Sequence, residues 1–254
     1  MIIAVVVTYN RLEHLKKLLN GLQKQTIALN QIIVVNNDSK DGTAEWLDSQ
    51  KNLVVIHQEN TGGSGGFYTG VKAAFMQKPE WIWIMDDDII PRPSCLEILM
   101  NYKEISKCLN PIHMNHDGIV SEEERWFNSE NCRIINHNNQ SLLHGKKIWF
   151  RNIGSFEGML ISTEIVAKIG FPDKRFFISH DDLIYGYLAN KYTNVAVIAD
   201  AIVDRQPVSK SEDANFYYFY YNHRNLWILE EYLKNENDGL KRYRNRRVIL
   251  YFLY

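Results

Sequence analysis

With 254 residues, 45% of them hydrophobic and 23% charged, the chain can bury the core of one large α/β domain or two small ones, which excludes a mostly disordered protein. Its formal net charge of -1 lacks the basic excess of a protein that coats nucleic acid. Three cysteines, Cys95, Cys108 and Cys132, are odd in number and have no C-x-x-C spacing, which argues against a disulfide framework or a zinc site and for a reducing, cytoplasmic setting.

Met1 to Val7 is apolar, has no basic leader and is too short to span a bilayer, so it reads as a first strand rather than a signal peptide. No transmembrane run follows. The strand ends at Thr8-Tyr9-Asn10, where Asn10 is expected to cap a helix and Glu13 to reach back in a capping box. Leu12, Leu15, Leu18, Leu19 and Leu22 mark that helix's apolar face. Gln31 to Val35 is a second buried strand, ending in the polar turn Asn36 to Thr43; a short helix around Trp46 and Leu47 and a third strand, Leu53 to His57, follow. The βαβαβ order predicts a parallel sheet.

Asn60 to Gly70 then reads Asn-Thr-Gly-Gly-Ser-Gly-Gly-Phe-Tyr-Thr-Gly, a glycine-rich loop opening a helix that carries Val71, Ala74 and Phe75. Glycines let the backbone approach a ligand, and free amides at a helix start attract phosphate. Tyr68 breaks the dinucleotide fingerprint and Val71 replaces the P-loop lysine, so a merely flexible loop is the alternative.

The stretch on which the rest turns is Trp81-Ile-Trp-Ile-Met-Asp-Asp-Asp-Ile-Ile90, bracketed by Pro79 and by Pro91 and Pro93. It reads as a buried strand delivering three carboxylates at its end, where ligands sit in open α/β sheets. Asp86, Asp87 and Asp88 would repel one another unless a divalent cation lay between them. Ser94 and Glu97 suggest a capping box for the helix with Leu96, Ile98, Leu99 and Tyr102.

Residues 108 to 147 change character, rich in Asn and His with the acidic patch Glu122-Glu123-Glu124, and read as a variable insertion whose His113, His116, His137 and His144 are solvated. Ile148 to Ser162, apolar and glycine-spaced, reads as a strand lining a cleft; a helix from Thr163 to Ile169 stops at Gly170. Phe176 to Asp182 repeats the theme of an apolar run ending in acids, Asp181 and Asp182, whose alternative role is to cap the next helix. A strand from Val195 to Val203 ends in Asp204-Arg205-Gln206-Pro207. An aromatic helix follows, with Phe216 to Tyr221, Arg224-Asn225 and Trp227, most of its rings expected in the core. Lys241, Arg242, Arg244, Arg246 and Arg247 precede the apolar end Val248 to Tyr254, a tail suited either to an anionic membrane surface or to packing on the domain or a second subunit.

In this order the motifs resemble the GT-A fold glycosyltransferases of family 2. Val7 to Arg11 looks like the first nucleotide-binding turn, Asn36 to Thr43 like the second, and Asp86-Asp87-Asp88 like the metal-binding D-x-D element. Asn60 to Gly70, Asp181-Asp182 and the Arg224-Asn225 pair make it similar to bacterial galactofuranosyltransferases and rhamnosyltransferases. The resemblance implies an α/β fold with a Rossmann-like nucleotide-binding half and a mostly parallel central sheet (1–107), the insertion (108–147), an acceptor-binding half (148–235) and the basic-apolar tail (236–254). It implies donor contacts from Thr8, Tyr9, Asn10, Arg11, Asn37, Asp38, Gly62, Gly63, Ser64, Gly65, Gly66, Asp86 and Asp87. A Mn²⁺ or Mg²⁺ ion would sit on Asp86 and Asp88, with Asp204 as a further oxygen ligand. Asp182 would be the general base and Asp181 its acceptor-orienting neighbour, in an inverting transfer.

The implied partners are a UDP- or dTDP-linked sugar and a glycan or lipid-linked acceptor of the cell envelope, with no nucleic acid. Asn36 and Asn37 stand where relatives carry Asp, and Asn37 is left to accept the base N3–H through its amide oxygen. Two rivals are a non-catalytic sugar-nucleotide-binding protein and a haloacid dehalogenase-like phosphatase; the latter normally carries its acids on the first strand, whereas here they end the fourth.

Overall fold

The computed structural model describes residues 1–115, 117–118, 124–129, 133–137, 145–207 and 212–234. His116, His144, Cys132, Glu122, Glu123 and the tail 236–254 lie outside them, as do the side chains of Glu124 and His137. The β-branched runs become β1 (Ile2–Thr8), β2 (Gln31–Asn37) and β3 (Val54–Gln58), and the Trp-Ile repeat becomes β4 (Trp81–Asp86). α1 (Leu12–Gln23), α2 (Thr43–Asp48) and α3 (Gly62–Met76) connect them, and β3-β2-β1-β4 pair in parallel.

β1 is buried along its whole length because alternate residues serve two cores. Ile2, Ala4 and Val6 meet Leu15, Leu18, Leu19 and Leu22 of α1, while Ile3, Val5 and Val7 meet Phe67, Val71 and Ala74 of α3. Trp83 anchors the first core with no exposed surface, and its indole N–H donates to the Gly158 carbonyl at 2.9 Å. Truncating such a ring costs about 3–5 kcal/mol.

The glycine-rich stretch is the helix itself rather than a loop before it. A Cβ at Gly66 would run into Val7 and one at Gly70 into Val5, so these two glycines let α3 lie with its backbone on β1.

The acid-bearing run is not one strand. β4 stops at Asp86, Asp87 and Asp88 turn, and Ile89–Pro91 forms β5, antiparallel to β11 (Val195–Arg205). α4 (Cys95–Asn101) follows. Both expected capping boxes give way to tertiary partners. Asn10 Oδ1 accepts from Lys40 N, while Asp41 caps α1 by accepting from Leu12 N at 3.0 Å. Ser94 makes no side-chain cap, and Glu97 accepts from Thr26 Oγ1 at 2.7 Å.

The segment read as an insertion begins with β6 (Cys108–Met114), a central strand between β10 (Met159–Ser162) and β11. His113 is fully buried there, not solvated. β7 (Glu124–Asn128) and β8 (Arg133–His137) form a separate hairpin. Residues 148–162 split into β9 (Ile148–Arg151), an irregular loop and β10, rather than one strand. α5 (Thr163–Ile169) ends at Gly170 as expected, and α6 (Asp181–Asn190) begins at the second acid pair.

The aromatic helix α7 (Glu212–Leu233) packs through Leu226, Leu229 and Leu233 against Phe127, Phe176, Leu183 and Ile184. Its rings are therefore not mostly core: Tyr217, Phe219, Tyr220 and Trp227 are exposed, because the buried stripe is aliphatic. Among the described residues no helix is long and apolar enough to cross a membrane.

Candidate active site

A cleft of about 800 Å³ opens beyond the carboxyl ends of β1, β2 and β4, where the strand order reverses. Its first wall is built by the turn after β1. Asp87 is buried, its Oδ2 accepting from Thr8 Oγ1 (2.7 Å) and Tyr9 N (3.4 Å) and its Oδ1 from Arg11 Nη1 (3.0 Å). That carboxylate is thus occupied in tying β4 to β1. Arg11 Nη1 also donates to Asp88 Oδ2 at 2.8 Å, and the two acids keep the guanidinium charged against its burial.

Asp86 differs, because no described side chain pairs with it. Burial lifts its pKa well above the usual carboxylate range, and the charges of Asp88, Glu157 and Asp87 push the same way. Glu157, on the β9–β10 loop, is held by Arg205, Nε to Oε2 at 2.5 Å and Nη2 to Oε1 at 2.9 Å. His113 Nε2 meets the Glu157 carbonyl at 2.7 Å. Arg11 opposes this only in part, and a cleft acid still raised in spite of it, with hard oxygen donors around it, fits a divalent cation on Asp86 and Asp88. Among the described residues no three His, Cys, Asp or Glu side chains are already drawn into a cage. Asp204 is not brought to this group. It sits beside β5 in a two-pronged pair with Arg92, at 2.9 and 2.8 Å, outside the cleft lining.

The second wall carries the other acids. Asp181 and Asp182 open α6 after a turn in which Phe177, Ser179 and His180 all have left-handed φ, of 65, 68 and 70°. Such residues cost on the order of 1–3 kcal/mol each and persist only where neighbours over-determine them. Asp181 is buried and its Oδ2 accepts from Ser64 Oγ at 2.8 Å. Burial raises its pKa, while that hydroxyl and the amides of Asp181 and Asp182 pull it back. Asp182 lines the cleft half-buried, and its Oδ1 accepts from Leu183 N at 2.7 Å.

Of the residues expected on the donor, Thr8, Tyr9, Arg11, Asn37, Gly62, Gly63, Asp86 and Asp87 line the cleft, with Asp88. Asn10, Asp38, Ser64, Gly65 and Gly66 do not, since Asn10 and Asp38 bond to Lys40, Ser64 serves Asp181 and the two glycines face Thr61 and Val7. Two early amides of α3 are taken, Gly62 N by Asn60 Oδ1 and Ser64 N by the Phe177 carbonyl, so the helix start offers phosphate less than its glycines suggest. Asn37 Oδ1 already accepts from Gln58 Nε2 and Thr61 N, which uses both lone pairs a base would need. Sequence reading places residues 148–162 along a cleft without singling out Arg151 or Glu157, and it misses Arg125 and Asn222; all four are in the lining.

A doubly wound sheet with its acids at the switch point is the α/β architecture of the GT-A class. The chain belongs to glycosyl transferase family 2, whose family description matches residues 3–160. It is 28% identical over 204 residues to the galactofuranosyltransferase GlfT1 of Mycobacterium tuberculosis H37Rv, covering 72% of this chain and 62% of the relative. The chain thus spans about three-fifths of that protein's length. Among solved structures, GalNAc-T7 with UDP, GalNAc and Mn²⁺ superposes at TM-score 0.63, with 12% identity over 82% of this chain and 44% of that one. Staphylococcus aureus TarS 1–349 in complex with UDP superposes at 0.60, with 16% identity over 89% and 65%. At these identities the superpositions establish a shared fold.

Proposed function

We propose that this chain is the catalytic domain of a metal-dependent inverting glycosyltransferase. It moves a hexosyl group, galactofuranose in first place and rhamnose in second, from a UDP- or dTDP-linked donor to a glycan or lipid-linked acceptor of the bacterial cell envelope. One observation carries the reading: two separate carboxylate groups, Asp86 with Asp88 and Asp182, line a single cleft at the strand ends. The named activity of the mycobacterial relative favours galactofuranose, and the UDP and Mn²⁺ of GalNAc-T7 favour UDP and a divalent ion.

Transfer requires negative charge on a departing diphosphate to be stabilised and a proton to leave the attacking hydroxyl. Asp86 and Asp88 are the residues that would hold Mn²⁺ or Mg²⁺, which when bound supplies the positive charge the leaving group needs. Arg11, already on Asp88, adds a fixed cation at the same end. Asp182, at the start of α6 in the cleft lining, takes the acceptor proton as the hydroxyl attacks the anomeric carbon in line. Asp181 stays behind it on Ser64 and orients the acceptor. The basic-apolar composition of the tail 236–254 suits either contact with the inner face of the plasma membrane or packing on the domain or a second subunit.

The decisive experiment is a panel of UDP- and dTDP-sugars assayed for binding and slow donor hydrolysis with Mn²⁺ and with EDTA. Mn²⁺-dependent hydrolysis of UDP-galactofuranose is expected. Failure of every member of the panel to bind in Mn²⁺ overturns the reading. Sedimentation with anionic liposomes, with and without residues 241–254, tests the membrane contact.

A further inference from the structure

Resting on the reading of Asp182 as base, we propose that Asn225 of α7, its amide locked by Arg224, is a positioning residue that sets the turn presenting Asp182 to the cleft. Asn225 has no exposed surface, and its Nδ2 faces three backbone carbonyls of that turn: Phe176 O at 3.0 Å, Ile178 O at 2.7 Å and Ser179 O at 2.8 Å. They belong to the segment whose Phe177, Ser179 and His180 are left-handed, and α6 with Asp181 and Asp182 begins at its next residue. Carbonyls gathered on one amide nitrogen are what a chain in that conformation needs to stay put, since neither Phe177 nor Ser179 favours it.

Arg224 fixes which end of the amide faces the turn. Its Nε and Nη2 donate to Asn225 Oδ1 at 3.0 and 2.6 Å, so a flipped amide would set NH₂ against guanidinium and oxygen against three oxygens. The same Nη2 reaches the Phe176 carbonyl at 2.7 Å and the Arg175 carbonyl. The guanidinium lies 4.7 Å over Tyr221, which stacks on Phe177 at 4.7 Å and 13°. From the other side Ser64 N donates to the Phe177 carbonyl at 3.1 Å. The turn is thereby held between α3 and α7, and the direction of Asp182 follows from both.

Asn225→Asp keeps the volume and replaces the donor by an acceptor facing three carbonyls. Hydrogen exchange across residues 174–184 should accelerate at least tenfold. The kcat for UDP-galactofuranose hydrolysis or transfer should fall about 10- to 100-fold, the scale of a misplaced catalytic group. Affinity for UDP with Mn²⁺, read by calorimetry, should stay within about twofold of the unsubstituted chain, because the donor wall is untouched. Arg224→Lys, which keeps the charge but loses the fork, should give a weaker effect of the same pattern, and it decides alone if Asn225→Asp does not fold. Unchanged exchange overturns the clamp. Faster exchange with unchanged kcat, or kcat and UDP affinity falling together, overturns the positioning role. If the unsubstituted chain turns over no UDP-galactofuranose, the donor assignment fails instead, and the exchange result still stands for the clamp.

Discussion

Asp86 to Asp88 and Asp181-Asp182 line one cleft, yet they are held there by opposite means. The first group ends a strand with neighbours on both sides, and Asp86 is level with Val7 of β1, so sheet register alone sets its height. The second stands after three left-handed residues and depends on side chains over forty positions later in the chain. Charge is handled differently as well. Asp87 and Asp88 share a guanidinium, whereas Asp181 is buried with one hydroxyl and backbone amides. The first group is thus positioned by the sheet, with Arg11 only partly offsetting the burial and like charges around Asp86; the second, in which burial outweighs the hydrogen bonds on Asp181, is positioned by ties. Substitutions should therefore fail in different ways at the two ends.

The largest expected effect is at the acceptor end. Asp182→Asn should lower kcat by about 10²- to 10⁴-fold, the usual contribution of a general base, while UDP binding in Mn²⁺ stays put. Unchanged turnover would place the base elsewhere and leave Asp182 as a helix cap. Gly66→Ala comes next, because α3 joins the two ends through Ser64 on Asp181 and Gly66 on Val7. The added methyl should cost about 1–3 kcal/mol in a denaturant melt, as overpacking does. It should also loosen Asp181 more than Asp86. A variant as stable as the parent would mean that α3 has room to shift.

Asp86→Asn sharpens the contrast in charge. A carboxylate desolvated beside like charges opposes folding, so the amide should raise the melting temperature in EDTA and abolish the stabilisation given by Mn²⁺. The pH dependence has a definite sign. Asp181, raised by burial, keeps its proton in the fold to higher pH than in the unfolded chain, so its contribution favours folding at low pH and is lost as pH rises through the folded value. Asp41 and Asp173, lowered by hydrogen bonds, contribute in the opposite sense and lose stability as pH falls through theirs. Melts of the parent and of Asp181→Asn between pH 4 and 8, where the substitution should remove the first component, check the assignment.

The same contrast explains what could be read from the chain alone. Strands β1, β2 and β4 are β-branched or aromatic runs with polar ends, so the place of Asp86 was legible from composition and order. The glycines were visible but misassigned; the four-residue interval from Gly66 to Gly70 marks one helix face, which points to packing on β1 rather than to a loop. The caps failed because Asn10 and Glu97 found partners in Lys40 and Thr26, a competition that local chemistry does not reveal. Neither Phe177 nor Ser179 announces a left-handed backbone, since glycine is the usual mark of one and only His180 belongs to a type enriched there. Glu157 is held in the cleft lining by Arg205, on a strand that begins nearly forty residues further along the chain, and by His113 of β6.

The smallest effect tests where the donor end stops. Asp204 had the right chemistry for a further cation ligand, but both its oxygens bind Arg92, with the pair 46% and 41% exposed. An exposed pair contributes about 0–1 kcal/mol and is screened by salt. Asp204→Ala should therefore leave Mn²⁺ affinity and kcat unchanged and cost at most that much stability, less in 1 M NaCl. Arg92→Ala supplies the complementary test, because it releases the carboxylate without removing it. Mn²⁺ affinity that rises in Arg92→Ala and falls back in the double variant would make Asp204 a ligand held in reserve. Equal affinity in all four proteins would exclude Asp204 from the cation's ligands and leave the ion to the carboxylates that line the cleft at the end of β4.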